Sequence, residues 1–196
     1  MSVSVQERRA ERHASVRDQV VAAAWRLAAE KGLTGFGLRD VAASVGMRAP
    51  SLYSYFPSKF AIYDAMFADG YRAFRERIAT VRPSRSRRVS LVRAAETYLD
   101  FCQEDPARHQ LLFLRVVPGF EPSPESYAEA VVVLDDMRVL LAGMGLHDRR
   151  HLDLWTALTA GLASQQAAND PEGKRWTALV EPAMDMYLSY VEGDLS

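Results

Sequence analysis

Gly46-Met47-Arg48-Ala49-Pro50-Ser51-Leu52-Tyr53-Ser54-Tyr55-Phe56-Pro57-Ser58-Lys59 mixes residue types that a buried core does not select. Pro50 opens a short helix, because proline is tolerated in a helix's first turn, and Pro57 ends it near Phe56. Leu52 and Phe56 stand four apart and pack inward. Arg48, Ala49, Ser51, Tyr53 and Tyr55 are then left at the turn or on other faces. A helix start with an arginine, small side chains and two phenols suits a DNA major groove: small residues permit close approach and arginine forks onto guanine. The flanking hydroxyls and Lys59 suit phosphates. The alternative is that Tyr53 and Tyr55 pack against the next helix with their hydroxyls in water.

Upstream, Val16, Val20, Ala24, Leu27 and Ala28 follow helical spacing over about 15–31, with Gly32 as a stop. Leu38, Val41, Ala42 and Val45 make a shorter helix ended by Gly46. Downstream, Ser58 caps a longer helix that holds Ile62, Met66, Phe67, Tyr71, Phe74 and Ile78. A tight joint at 46–49 inside this series is the spacing of a helix-turn-helix. Further helices are expected at about 87–104, 107–117, 125–144, 149–168 and 174–192. Asp105-Pro106, Ser123-Pro124 and Asp170-Pro171 each join a capping side chain to a proline fit for the first helical position. The runs 111–114 and 131–134 are also compatible with strands, but their flanks keep the helical period and no hairpin signal occurs. The fold expected is all-α, with about nine helices.

The chain has 196 residues, 48% hydrophobic and 25% charged, the balance of a folded globular protein. Its net charge of −1 conceals a division: residues 1–88 carry 16 Lys+Arg against 8 Asp+Glu, and residues 89–196 carry 8 against 17. The halves are therefore +8 and −9, and a basic half suggests a polyanionic partner. The longest stretch free of charged residues, 154–169, is too short and too polar to span a bilayer. The opening residues show no apolar run after their charges, so a cytoplasmic protein without membrane association is expected. Cys102 is the only cysteine, which excludes an intrachain disulfide and a multi-cysteine zinc site.

Arg17-x-x-Val20-Val21-x-x-Ala24, Gly32, Leu38-Arg39-Asp40-Val41-Ala42, Gly46 and Leu52-Tyr53-x-Tyr55-Phe56-Pro57-Ser58-Lys59 together resemble the N-terminal DNA-binding domain of the TetR (tetracycline repressor) family of bacterial transcription regulators. The resemblance covers about 17–62 and implies a recognition helix with Arg48, Ala49, Pro50 and Ser51 nearest the bases. It implies phosphate contacts from Tyr53, Tyr55 and Lys59, and places Arg17, Gly37 and Arg39 at the DNA side. The chain departs from the family at Gly37, where a serine or threonine starts helix 2, at Arg48 in place of serine, and at Ala28 in place of a core phenylalanine. Trp25 or Phe36 is expected to fill the space at Ala28. The layout implied is a flexible basic arm over 1–15, the helix-turn-helix domain over 16–60, and a helical ligand-binding and dimerisation domain over 61–196. The partners implied are a double-stranded DNA operator, a small-molecule effector and a second copy of the chain.

In the acidic half, apolar residues cover well over half the circumference of the last helix, which implies two buried contacts. With the small residues of the preceding helix they suggest a two-fold four-helix interface through Leu158, Gly161, Leu162, Trp176, Leu179, Ala183, Met186 and Tyr190. Tyr98, Phe101, Cys102, Phe113, Val117, Tyr127, Val131, Trp155 and Thr159 are candidates to line an apolar ligand pocket or, alternatively, ordinary core. His147 and His151 share a helix start, but with Asp148, Arg149 and Arg150 between them they read as a solvated cap rather than a metal site, and His109 likewise. The Arg82, Arg85, Arg87, Arg88 cluster reads as a solvated joint. No phosphate loop, nucleophile elbow or zincin motif is present, so neither an enzyme nor a cofactor is expected.

Overall fold

The computed structural model describes residues 5–82 and 84–193. Nine α-helices follow one another there: α1 (Val5–Lys31), α2 (Leu38–Ser44), α3 (Ala49–Tyr53), α4 (Lys59–Ala79), α5 (Arg87–Glu104), α6 (Pro106–Phe113), α7 (Pro124–Ala142), α8 (Arg149–Asn169) and α9 (Val180–Gly193), with a 3-10 turn (Thr177–Leu179) before the last. No strand occurs among the described residues. The chain divides into two compact units, one from Met1–Gly70 with Gln110–Tyr127, the other from Tyr71–His109 with Ala128–Ser196.

Local chemistry sets most of the helix ends in the first unit. Gly32 and Gly46 adopt left-handed φ of 77° and 68°, which only glycine reaches without strain. At Gly46 the turn closes as a Schellman motif: Met47 N–H donates to Ala42 O at 2.8 Å and Gly46 N–H to Ala43 O at 3.1 Å. Ser58 Oγ accepts from Ala61 N at 3.1 Å and starts α4. The recognition helix α3 stops at Tyr53, three residues short of the sequence expectation, where Ser54 Oγ folds back onto Ser51 O at 2.7 Å. α1, by contrast, begins at Val5 rather than near residue 15. Residues 6–15 are all exposed, so no packing stripe announces this stretch; its Glu, Arg, Gln and Ala content and lack of Gly or Pro sustain the helix by propensity.

The core of this unit is built by Val20, Ala23, Ala24, Leu27 and Ala28 of α1, Val41 and Ala42 of α2, Leu52 and Phe56 of the recognition segment, and Ile62, Tyr63 and Met66 of α4. Trp25, Ala28 and Phe36 are all buried in this core, and the Trp25 indole N–H donates to Asp69 at 2.8 Å. Residues 114–123, expected to continue α6 as far as 117, form a loop instead. The loop belongs to the same unit: the Phe120 ring lies 5.6 Å from Tyr63 and 6.1 Å from Phe60. Asp64 clasps its far end, accepting from Ser123 N (2.6 Å), Ser123 Oγ (2.9 Å) and Ser126 Oγ (2.8 Å).

In the second unit α5 is the central element, buried through Leu91, Ala94, Ala95, Tyr98, Leu99, Phe101 and Cys102. Phe74 packs edge-on against Tyr98 at 5.7 Å and lies 4.9 Å from Phe101. Arg88, expected in a solvated joint, ties α5 to α9 by donating to both Asp185 oxygens (2.6 and 3.1 Å) and to Glu181 (2.9 Å). The buried stripe of α8 is His151, Trp155, Thr159, Ala163 and Gln166. His151 is therefore not a solvated cap; it lies one helical turn before Trp155 on the inward face. His109 is buried too, and burial lowers its pKa. α9 begins at Val180 instead of near 174. Gln166 Oε1 accepts from Trp176 N (2.9 Å) and Thr177 N (3.2 Å), fixing the chain in a turn ahead of the helix. No helix among the described residues is long and apolar enough to cross a membrane.

Candidate nucleic-acid interface

The recognition segment is held from behind and open in front. Leu52 and Phe56 are buried, whereas Arg48, Pro50, Ser51 and Tyr53 are exposed and Ala49 is half-buried. Arg48 occupies the N-cap of α3 with an extended backbone and no side-chain cap bond. Its carbonyl accepts from Ser51 N (2.9 Å), so the cap is made by main chain and the guanidinium remains available. Pro50 in the first turn removes an amide that has no helical partner in any case. These residues form one outward surface with an arginine at its edge and two small side chains beside it.

The flanking residues have additional duties. Arg17 donates through Nη1 to Tyr55 O at 2.6 Å and lies over the Phe56 ring at 4.2 Å. It anchors the end of the recognition segment on α1 while using one of its five donors. The Tyr55 ring stacks on His13, centroids 4.5 Å apart. Lys59 is half-buried: Nζ donates to Thr34 O at 3.2 Å and sits 4.6 Å from the Phe36 ring centroid. Desolvation lowers its pKa, and two ammonium protons remain for a phosphate. Lys59→Ala is expected to weaken all DNA sequences alike and to reduce the salt slope of binding by about 1 per protomer. An unchanged slope in a fluorescence titration against salt removes Lys59 from the interface.

Gly37 is the N-cap of α2. With no hydroxyl to offer, it relies on Asp40, which accepts the Gly37 N–H at 2.7 Å and pairs with Lys31 at 3.0 Å. That backbone bond first, and Lys31 second, hold the Asp40 carboxyl below its ordinary pKa. Arg39, one residue into α2, is exposed. Sequence reasoning missed His13, Thr34 and Asp40 as parts of this surface. Asp40 had a readable signal, an acid three residues after a helix cap; His13 and Thr34 had none.

Residues 20–66 match the family profile of the bacterial regulatory proteins, tetR family. That stretch carries the TetR-family signature. The match covers the helix-turn-helix, and similarity to solved structures extends the TetR-like fold over most of the remainder. A candidate regulatory protein, SCO4313, is 20% identical with a TM-score of 0.71 over 91% of this chain and 98% of that one. FadR from Bacillus subtilis, solved in complex with stearoyl-CoA, is 18% identical with a TM-score of 0.65 over 87% and 97%. A TetR/AcrR family regulator from Thermobifida fusca YX-ER1 is 23% identical with a TM-score of 0.62 over 89% and 97%. No curated protein matches the sequence. The family match over the helix-turn-helix supports a DNA-binding transcriptional regulator.

The candidate effector residues fall in both units. Tyr98, Phe101, Cys102, Trp155 and Thr159 are buried in the second, where burial raises the Tyr98 phenol's pKa and pushes the Cys102 thiol up to about 12. Val131, also in the second, is exposed. Phe113, Val117 and Tyr127 belong to the first; Val117 is buried, Phe113 is half-buried and Tyr127 is exposed. A surface groove of about 750 Å³ in the second unit is lined instead by Arg72, Arg75, Glu76, Ile78, Glu129 and Asp136, and the pairs Arg72–Glu129 (3.2 Å) and Arg75–Asp136 (2.7 Å) form part of its wall. No group of three or more potential metal ligands occurs among the described residues.

Proposed function

We propose that the chain is a cytoplasmic, homodimeric repressor that leaves a pseudo-palindromic operator when a small, largely apolar ligand binds. The observation that carries the reading is the outward set Arg48, Ala49, Pro50, Ser51 and Tyr53, presented by a helix whose own anchors, Leu52 and Phe56, are buried. Two such helices about 34 Å apart read two half-sites. The second copy is supported by the outer face of α8 and of the segment ending in α9. Leu158, Gly161, Leu162, Trp176, Leu179, Ala183, Met186 and Tyr190 are half-buried or exposed, and none is fully buried within the single chain.

An apolar effector is supported by the buried aromatic residues of α5 and α8 and by the Trp155 indole N–H, which is buried without a hydrogen-bond partner. A ligand combining an apolar body with one acceptor satisfies both. The stearoyl-CoA complex of Bacillus subtilis FadR makes acyl compounds the first class to screen. Coupling follows if the ligand binds better to a state in which α4 spaces the two recognition helices wrongly for the operator.

The test is in vitro selection of random duplex DNA by the purified protein at several salt concentrations. An enriched pseudo-palindrome supports the reading and supplies an assay for ligand release. No enrichment at low salt from a folded dimer turns the chain into a TetR-like ligand- or partner-binding module. On the selected duplex, Arg48→Ala is expected to cost about 1–3 kcal/mol at one base pair per half-site. The cap of α3 survives because it is main chain. Uniform weakening of all sequences would make Arg48 a phosphate contact.

A further inference from the structure

We infer that the N-terminal turns of α1 form a second DNA-contacting element, in which Arg8, Arg9 and Arg12 grip backbone phosphates beyond the half-site read by α3. The inference rests on the DNA-binding reading and extends it to a surface outside the helix-turn-helix.

Residues 6–15 are helical yet wholly exposed, so packing does not explain why α1 begins about four turns ahead of its first buried residue, Val20. What the extension carries is charge. Arg8 and Arg12 stand four apart, Arg9 and Arg12 three apart, which places the three guanidiniums on one strip of the helix. None has a carboxylate partner within ion-pair distance among the described residues. Like charges at this spacing repel one another, and a row of phosphates converts that repulsion into attraction.

The extension is also fixed in place beside the recognition segment. His13 stacks on Tyr55 and, one helical turn later, Arg17 bonds to Tyr55 O and covers Phe56. His13 and Arg17 share a face, and Arg9 continues that face one turn, about 6 Å, further out. The same two residues that hold the end of the recognition segment therefore aim the arginine strip away from it along the same side of the unit. The partner is DNA rather than another polyanion because this strip is continuous, through Tyr55, with the exposed Ser51 and Tyr53.

The experiment uses the full-length protein on a selected duplex with at least one extra helical turn of flanking DNA. Each phosphate contact contributes about 0.9 to the slope of log K against log salt. The variant Arg8→Ala/Arg9→Ala/Arg12→Ala is expected to lose about 2–3 from the slope per protomer while keeping its base preference. Hydroxyl-radical footprinting of the wild-type protein is expected to show protection outside each half-site that the variant lacks, and His13→Ala is expected to blur that outer protection. An unchanged slope, or a wild-type footprint confined to the half-sites, overturns the inference while leaving the regulator intact. Absence of any selected sequence for the wild-type protein defeats the regulator reading itself.

Discussion

Gln166→Leu is expected to lower the stability of the chain by about 2–6 kcal/mol, because it removes four part-buried hydrogen bonds to main chain at about 0.5–1.5 kcal/mol each. The side chain is fully buried on the inward stripe of α8. Its Oε1 accepts from Trp176 N and Thr177 N, and its Nε2 donates to Asp170 O and to Gly173 O, the latter at 3.1 Å. One amide thus satisfies four main-chain groups of the turn that delivers the chain into α9. Leucine has similar bulk and no polar atom, so the loss isolates the hydrogen bonds from the packing. Gln165→Leu, one residue away and exposed, is the control and is expected to stay within about 0.5 kcal/mol of the parent. Urea titrations at one fixed protein concentration read both variants, since dimer stability depends on concentration. Equal midpoints would mean that the turn finds other partners and that Gln166 does not organise it.

Features set by neighbours along the chain were legible beforehand. Ser58, Asp105 and Ser123 each accept from an amide three residues ahead, as their place before an apolar run predicts. The Gly46 turn, the inward Leu52 and Phe56 and the outward Arg48 and Ser51 also follow from spacing alone. What spacing could not show was polar chemistry between distant residues. Asp64 meets Ser123 59 positions away, Trp25 meets Asp69 across 44, and Gln166 meets Trp176 across 10; none of these leaves a periodic trace.

Apolar periodicity alone does not pick out the inward face of α8. On α8 the leucines at 154, 158 and 162 advertise a core face, yet each is only half-buried, and the inward stripe is the more polar His151, Trp155, Thr159 and Gln166. The two stripes lie about 100° apart on the helix. A helix that turns polar residues inward and leaves leucines half covered has a second surface to satisfy, which supports the proposed intersubunit contact through the leucine face. The same blindness explains α1, where a method that begins a helix at its first apolar repeat cannot see turns held by propensity alone.

Gly161→Arg is expected to convert the dimer to monomer and to weaken operator binding on the order of 10²–10⁴-fold, the avidity that linking two half-site contacts supplies. The substitution is informative because it is harmless to the single chain. Gly161 is exposed in the middle of α8, and a Cβ placed there meets nothing within 4 Å. Glycine inside a helix costs about 0.5–1 kcal/mol relative to alanine, so a longer side chain should leave the isolated fold as stable or slightly more so. Any large loss must then come from whatever covers this face in the assembly. Met186→Glu, on the exposed side of α9, places a charge on the other half of the same surface and is expected to act alike. Sedimentation velocity reads the association and a titration on the selected duplex reads the affinity. If both variants remain dimeric and bind as the parent does, the two-fold contact lies elsewhere and the open face of α8 and α9 serves another partner. If they become folded monomers that still contact single half-sites, dimerisation through these helices is what makes the weak grip of one recognition helix into an operator-specific one.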